Sequence, residues 1–250
     1  MFSHVFSHFP IRSAIRVCLA GLALAWQVPG YGALTISTTR VVYDAERRGV
    51  SLLVANPSRS VFAAQAWVNT EQDNTTSAVP FVTNPPLFRL DPSKQQQVQI
   101  SALPSDLPQD RESLFFFNVQ EIPQLDDSQP NVLAIAMRTR IKLFYRPPAL
   151  KAGPQQQFDT LRWSVVESDG KRRLAVDNPT PYHITFARLF LRAHDQRTDI
   201  NRAAMLAPLT RAYYDLPAGL AQGPLQVEFA TLNDYGAASQ SLTLPVAPLR

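Results

Sequence analysis

Cysteine is all but missing from this 250-residue chain, whose single one is Cys18. It lies in an apolar stretch near the N-terminus, so no disulfide staples the remainder and thiol chemistry is excluded there. A cysteine-bound zinc site is excluded with it. Histidine is scarce too: His4 and His8 fall in the N-terminal segment, and His183 and His194 lack the spacing of metal ligands. Both read as ordinary strand or surface histidines. The nine glycines form neither a phosphate-cradling loop nor a glycine–serine nucleophile elbow. Asp126-Asp127 reads as a solvated acidic turn, and Asp110 and Glu112 around Arg111 as ion pairing rather than paired-carboxylate catalysis. No enzyme, cofactor or metal is expected. The formal charge of +4 is small, and no basic cluster is interleaved with aromatics, so nucleic acid is not an expected partner.

Some features are present in excess. Arg12 and Arg16 precede an apolar run, Val17 to Trp26, too short to span a bilayer well. Gly30 and Gly32 are small residues at the −3 and −1 positions of a cut before Ala33. This predicts a secretory signal over residues 1–32, whose removal with its two arginines lowers +4 to +2. No later apolar run is long enough for membrane insertion. With 45% hydrophobic and 18% charged residues the chain is globular, and 21 prolines point to strands and turns.

Short runs with period-two alternation recur, including Val50 to Ala55, Phe62 to Thr70, Gln95 to Ser101 and Ser113 to Ile122. Lys151 to Gln157, with Gly153-Pro154, reads as a linker. Beyond it come further strand-like runs: Leu161 to Glu167, Arg173 to Asp177, His183 to Ala193, Arg211 to Leu216, Leu225 to Thr231 and Gln240 to Val246. The fold class is all-β: two sandwiches in tandem, over 33–150 and 151–250, with no substantial helix and no obvious residue-level repeat.

One stretch organises the rest, Asn131 to Pro148. Leu133, Ile135, Met137, Thr139 and Ile141 fall on one face; Arg138, Arg140 and Lys142 fall on the other. A continuous strand from Asn131 to Tyr145 would run roughly 45 Å. It is either a long edge strand that closes its own core, or a strand whose first half offers an apolar row to another protein. In the second case Lys142 to Tyr145 is anchored in the domain.

Several motifs carry a resemblance across the chain beyond residue 32: Thr38 to Tyr43, Gln65-Ala66-Trp67, Pro85-Pro86 with Arg89-Leu90, Leu107 to Phe115, Ile141 to Pro147, Asn178 to Tyr182, and Asn233 to Gly236. In that order and spacing the sequence resembles the periplasmic chaperones of the chaperone–usher pathway, the pilus-assembly family typified by PapD. The resemblance implies two immunoglobulin-like domains in an L or boomerang arrangement. It implies a partner too, a fimbrial subunit completed by donor-strand complementation and passed to an outer-membrane usher. By motif, Arg40 and Lys142 anchor the subunit's C-terminal carboxylate, and Leu133, Ile135 and Met137 enter the subunit groove. Glu112, Arg146 and Asp234 form an interdomain ion network. The short stretch Glu121 to Asn131 resembles the short-loop subfamily. An uncovered strand could self-pair as a homodimer. The alternative reading is a secreted two-domain adhesion or carbohydrate-binding module, which needs exposed aromatics at one loop end and neither Arg40 nor Lys142.

Overall fold

The computed structural model describes residues 34–74, 76–123, 135–168, 170–200, 204–216 and 223–248. The signal expected over residues 1–32, Leu133, Asp126-Asp127 and most of the short loop lie outside them.

The first half forms nine strands among the described residues. They are β1 Thr35–Ile36, β2 Arg40–Asp44, β3 Val50–Ala55, β4 Phe62–Asn69, β5 Phe81–Asn84, β6 Leu87–Leu90, β7 Gln95–Ala102, β8 Ser113–Pro123 and β9 Arg138–Arg146. They build two sheets, ordered β1-β3-β7-β5 and β2-β9-β8-β4-β6. Alternation puts Leu52, Val54, Val98 and Ile100 of one sheet against Ala64, Phe117, Val119 and Leu143 of the other, in one buried core. The prolines act as sheet switches. Asn84-Pro85-Pro86, with a cis Asn84–Pro85 bond, separates β5 on one sheet from β6 on the other. Pro86 has no N–H to donate, but its carbonyl accepts the Ala66 N–H at 2.8 Å, so the ladder of β4 runs on past it.

The start of the chain is split likewise. Strand β1 pairs with β3, and β2 crosses to the other sheet to pair in parallel with β9. That crossover sets Arg40 opposite Lys142.

After a 3-10 helix, Pro154–Thr160, whose Phe158 is buried, seven strands follow. They are β10 Arg162–Ser168, β11 Lys171–Asp177, β12 Phe186–Ala193, β13 Gln196–Asp199, β14 Arg211–Asp215, β15 Leu225–Thr231 and β16 Leu242–Ala247. They are hydrogen-bonded in the order β13-β12-β15-β16-β10-β11-β14. Phe186 of β12 meets Tyr214 of β14 with ring centroids 6.5 Å apart, so the two ends of this ladder face each other across a second core around Trp163 and Phe229. Strand β13 is absent from the alternation because its Gln-Arg-Thr-Asp sequence is wholly polar; it exists as the return arm of a hairpin on β12.

The two halves do share one local device. Asn56 donates Nδ2 to the Ser60 and Leu90 carbonyls and accepts the Ser58 N–H and hydroxyl on Oδ1. Asn178 does the same with the Tyr182 and Ala207 carbonyls and with Thr180. A buried Asn-Pro-Ser/Thr turn therefore braces both domains, a repeat too short to stand out in sequence.

Candidate functional site

Strand β9 is the element on which the candidate site is built. The expected continuous strand from Asn131 is corrected: the described strand begins at Arg138, and residues 135–137 are not strand. The reason is the supply of ladder partners. Residues Lys142–Tyr145 are paired on both sides, with β2 and β8, whereas among the described residues 138–141 pair with β8 alone. Before Arg138, among the described residues, the ladder continues by the bond from the Glu121 N–H to the Met137 carbonyl at 2.9 Å.

Leu143 and Tyr145 lie inside the first core and Ile141 packs at its margin. Ile135 and Met137 are 62% and 50% exposed, with no core of their own. The strand thus has a buried root, a one-sided edge and an exposed apolar approach, which is the division expected if its first half serves a partner.

Arg40 and Lys142 are direct neighbours across β2 and β9. Both are half-buried. Burial pushes the Lys142 ammonium down from its usual range, and the charge of Arg40 pushes it further. Burial also lowers Arg40, although Asp234 and Glu112 pull it back. Arg40 lies 5.9 Å over the Phe144 ring, and its buried Nε has no hydrogen-bond partner. Among the described residues neither cation is ion-paired to a carboxylate. Two adjacent cations, one with a free donor, are chemically suited to receive an anion.

The three members expected of the ion network are brought together. Arg146 donates from Nη1 and Nη2 to Asp234 at 2.8 and 3.0 Å, and from Nε and Nη2 to Glu112 Oε1 at 3.0 and 2.8 Å. Burial works against the guanidinium, but the bonds to Asp234 and the charge of Glu112 outweigh it and raise its pKa. Glu112 and Arg146 come from the first domain, Asp234 from the turn after β15. The Glu112 N–H also donates to the Pro181 carbonyl at 2.9 Å.

Sequence reasoning missed His183. It is not a surface histidine: its N–H donates to Glu112 Oε2 at 2.9 Å, its Nδ1 lies 3.2 Å from the same oxygen, and its ring packs on Phe144. Its place beside Asn178-Pro179-Thr180-Pro181 was the available signal, because that turn delivers it to the boundary. Also missed were Asn69, Asp73 and Asn118, which hold Arg138 at the start of β9.

A groove of about 770 Å³ runs along the free edge of β2, bounded by Arg40, Gly49, Leu150, Asp234 and Tyr235. Lys142 is not among its lining residues, so the groove and the cation pair share only Arg40. Strand donation needs an edge rather than a cavity. Among the described residues no group of three or more His, Cys, Asp or Glu could hold a metal ion, and no helix is long and apolar enough to cross a membrane.

A two-sandwich protein with a half-open strand beside paired cations defines a class of strand-donating proteins, and comparison with known proteins narrows it. Residues 33–151 match the family described as pili and flagellar-assembly chaperone, PapD N-terminal domain, and residues 156–243 match the C-terminal domain of the pili assembly chaperone PapD. The chain therefore belongs to the PapD-like family of pilus-assembly chaperones, a family of chaperones rather than enzymes. It is 36% identical over 236 residues to the chaperone protein LpfB of Salmonella typhimurium, covering 93% of this chain and 97% of LpfB. It is 41% identical over 174 residues to the chaperone protein PapD of Escherichia coli, covering 68% and 71% of the two chains. The crystal structure of the YadV chaperone superposes with a TM-score of 0.72 at 34% identity, over 84% of this chain and 99% of YadV. The SafB chaperone of Salmonella enterica, solved in complex with the SafA pilin, gives a TM-score of 0.72 at 27% identity over 85% and 96%.

Proposed function

We propose that the protein is a periplasmic chaperone that holds a fimbrial subunit by donor-strand complementation. The observation that carries this reading is the uncovered edge of β9, with Ile135 and Met137 exposed on one side of it and the unpaired Arg40 and Lys142 at its inner end. A subunit that lacks its last strand would pair along residues 138–141 and take the apolar row of Leu133, Ile135 and Met137 into its open core. Burial would contribute about 25 cal/mol per Å² of apolar surface. The C-terminal carboxylate of the subunit would supply the charge missing between Arg40 and Lys142 and so set the register. SafB, a relative solved with a pilin, supports the same role here.

In this reading residues 1–32 direct export and are removed, 33–150 form the subunit-holding domain, and 151–250 form the second domain. Glu112, Arg146 and Asp234 hold the two together. The subunit is handed to an outer-membrane usher, and exchange with the next subunit's own strand releases it without a nucleotide. An uncovered edge also invites pairing with a second copy when no subunit is bound. An adhesion or carbohydrate module is less well supported. Its exposed aromatics should share one loop end, yet Tyr213 belongs to β14 and Tyr235 to the turn beside Thr39.

The test is co-purification from periplasm with a fimbrial subunit that lacks its own N-terminal donor segment. The expected result is retention by the wild type, and loss by Arg40→Ala and by Lys142→Ala while both stay folded. Retention by the variants at the wild-type level refutes the carboxylate anchor, and no retention by the wild type refutes the chaperone reading.

A further inference from the structure

Among the described residues, 138–141 have a strand neighbour on one side only, yet the side chains of β9 there are tied down. Arg138 donates from Nε and Nη2 to Asn118 Oδ1 at 3.0 and 2.7 Å, and from Nη2 to Asp73 Oδ1. Asn69 Nδ2 donates to the same Asp73 oxygen at 2.6 Å, and Asn118 Nδ2 donates to Asn69 Oδ1 at 3.0 Å. The four side chains close a ring that runs from the loop after β4, through β4 and β8, to the first residue of β9. Around it, the Arg138 guanidinium lies 5.2 Å over the Trp67 ring. Arg140 donates to the Thr70 and Glu71 carbonyls at 2.7 and 3.2 Å and covers Phe116 at 3.7 Å.

We infer that this ring fixes the root of the exposed 135–137 segment, making Asp73 and Asn118 positioning residues for strand donation; the inference rests on the proposed chaperone function. Three observations carry it. First, the ring closes at Arg138, adjacent to Met137, where the last ladder bond from Glu121 is made. Second, Asn118 is fully buried and its amide is used on both atoms, so the orientation in which it receives Arg138 is dictated from beneath. Third, Asp73 is an exposed carboxylate in a loop, at a φ of 58° that Asp tolerates better than most residues. An exposed ion pair adds little to global stability, so its effect is local geometry.

The ring stands in for the missing strand neighbour. It holds β9 across β8 to β4, leaving the backbone edge of 138–141 free for the subunit. A β2 longer at its start would give the same rigidity but would block that edge. The distance from Lys142 to Met137 is thereby held constant, so that a carboxylate anchored at one end places a given groove position at the other.

The experiment uses the full chain from Ala33 onward and two measurements. Amide hydrogen exchange is followed at Glu121 and along β9 in the free protein, and retention of a fimbrial subunit lacking its donor segment is measured by co-purification. The variants are Asp73→Asn, which keeps a residue suited to that φ, and Arg138→Met, which keeps the apolar stem on Trp67. Arg138→Lys, able to reach Asp73 or Asn118 but not both, is the conservative comparison. The expected result is exchange faster by about ten-fold at Glu121, unchanged at Leu143 to Tyr145, with retention reduced by about the same factor and Arg138→Lys intermediate. A purely stabilising ring would accelerate all of these amides together. Unchanged exchange at Glu121 overturns the inference, as does faster exchange with full retention. If the wild type retains no subunit, the chaperone reading falls, and the exchange result alone decides whether the ring fixes the strand root.

Discussion

Burial pushes the Tyr214 hydroxyl up to about 12, and the same cause acts in the opposite direction on Lys142 and Arg40, because in each case the charged form is disfavoured. For Tyr214 the consequence lies at alkaline pH. Below its ordinary value of 10.0 the hydroxyl is neutral in folded and unfolded chains alike, so nothing is lost. Between about 10 and about 12 the unfolded chain ionises and the folded one does not, and stability falls by about 2–3 kcal/mol over that window. Denaturant unfolding at stepped pH should show a shallower fall for Tyr214→Phe across that range; an identical fall would mean Tyr214 ionises freely when folded. For Arg40 and Lys142 the residues themselves were legible through the family motifs, but their half-buried, unpaired state was not. That state depends on a parallel pairing between positions 102 residues apart in the chain, which alternation does not reveal.

Strand β9 joins two environments within one run of alternating residues. Its second half was readable because Leu143 and Tyr145 continue the inward face into the core, as expected. Its first half was misjudged in length, because periodicity records which side chains share a face and not whether a neighbour exists to complete a ladder. The exposed apolar approach is the part that carries function. Ile135→Asp should leave stability within about 0.5 kcal/mol, since the side chain is 62% exposed. Subunit retention should fall at least about ten-fold, because a carboxylate would enter an apolar groove unpaired. Thermal unfolding beside co-purification checks both; undiminished retention would show that Ile135 does not enter the groove. Strand β13 was missed for the reverse reason, since its polar residues act through hydrogen bonds and leave no apolar pattern.

Two cores, one on each side of the linker, meet at a small buried polar junction. Its centre is Glu112, whose side chain is 2% exposed and which receives Arg146 on one oxygen and His183 on the other. The turn carrying Asp234 comes close enough that a side chain on Gly236, at φ +83°, would strike Thr39. Removing Arg146 leaves a buried carboxylate short of its cation, a loss of about 3–5 kcal/mol. Because that loss falls on the junction, Arg146→Ala should split one unfolding transition into two. Trp67 lies on β4 in the first domain, under Arg138, and Trp163 lies in the second core, so single-tryptophan forms report each domain separately. A single transition, lowered but unsplit, would show that Arg146 serves one domain only.

The amino-acid order by itself determined the all-β class, the position of most strands and the family motifs, because alternation, turn residues and motif spacing are properties of neighbours along the chain. The tertiary structure decided which half of β9 has a partner, that Arg40 and Lys142 lie side by side without a counter-charge, that His183 is buried on Glu112, and that Asp73 closes a ring on Arg138. Each of these depends on pairing or burial between residues far apart in sequence, and their energies are set by desolvation and by ladder geometry, which exist only once the sheets have formed.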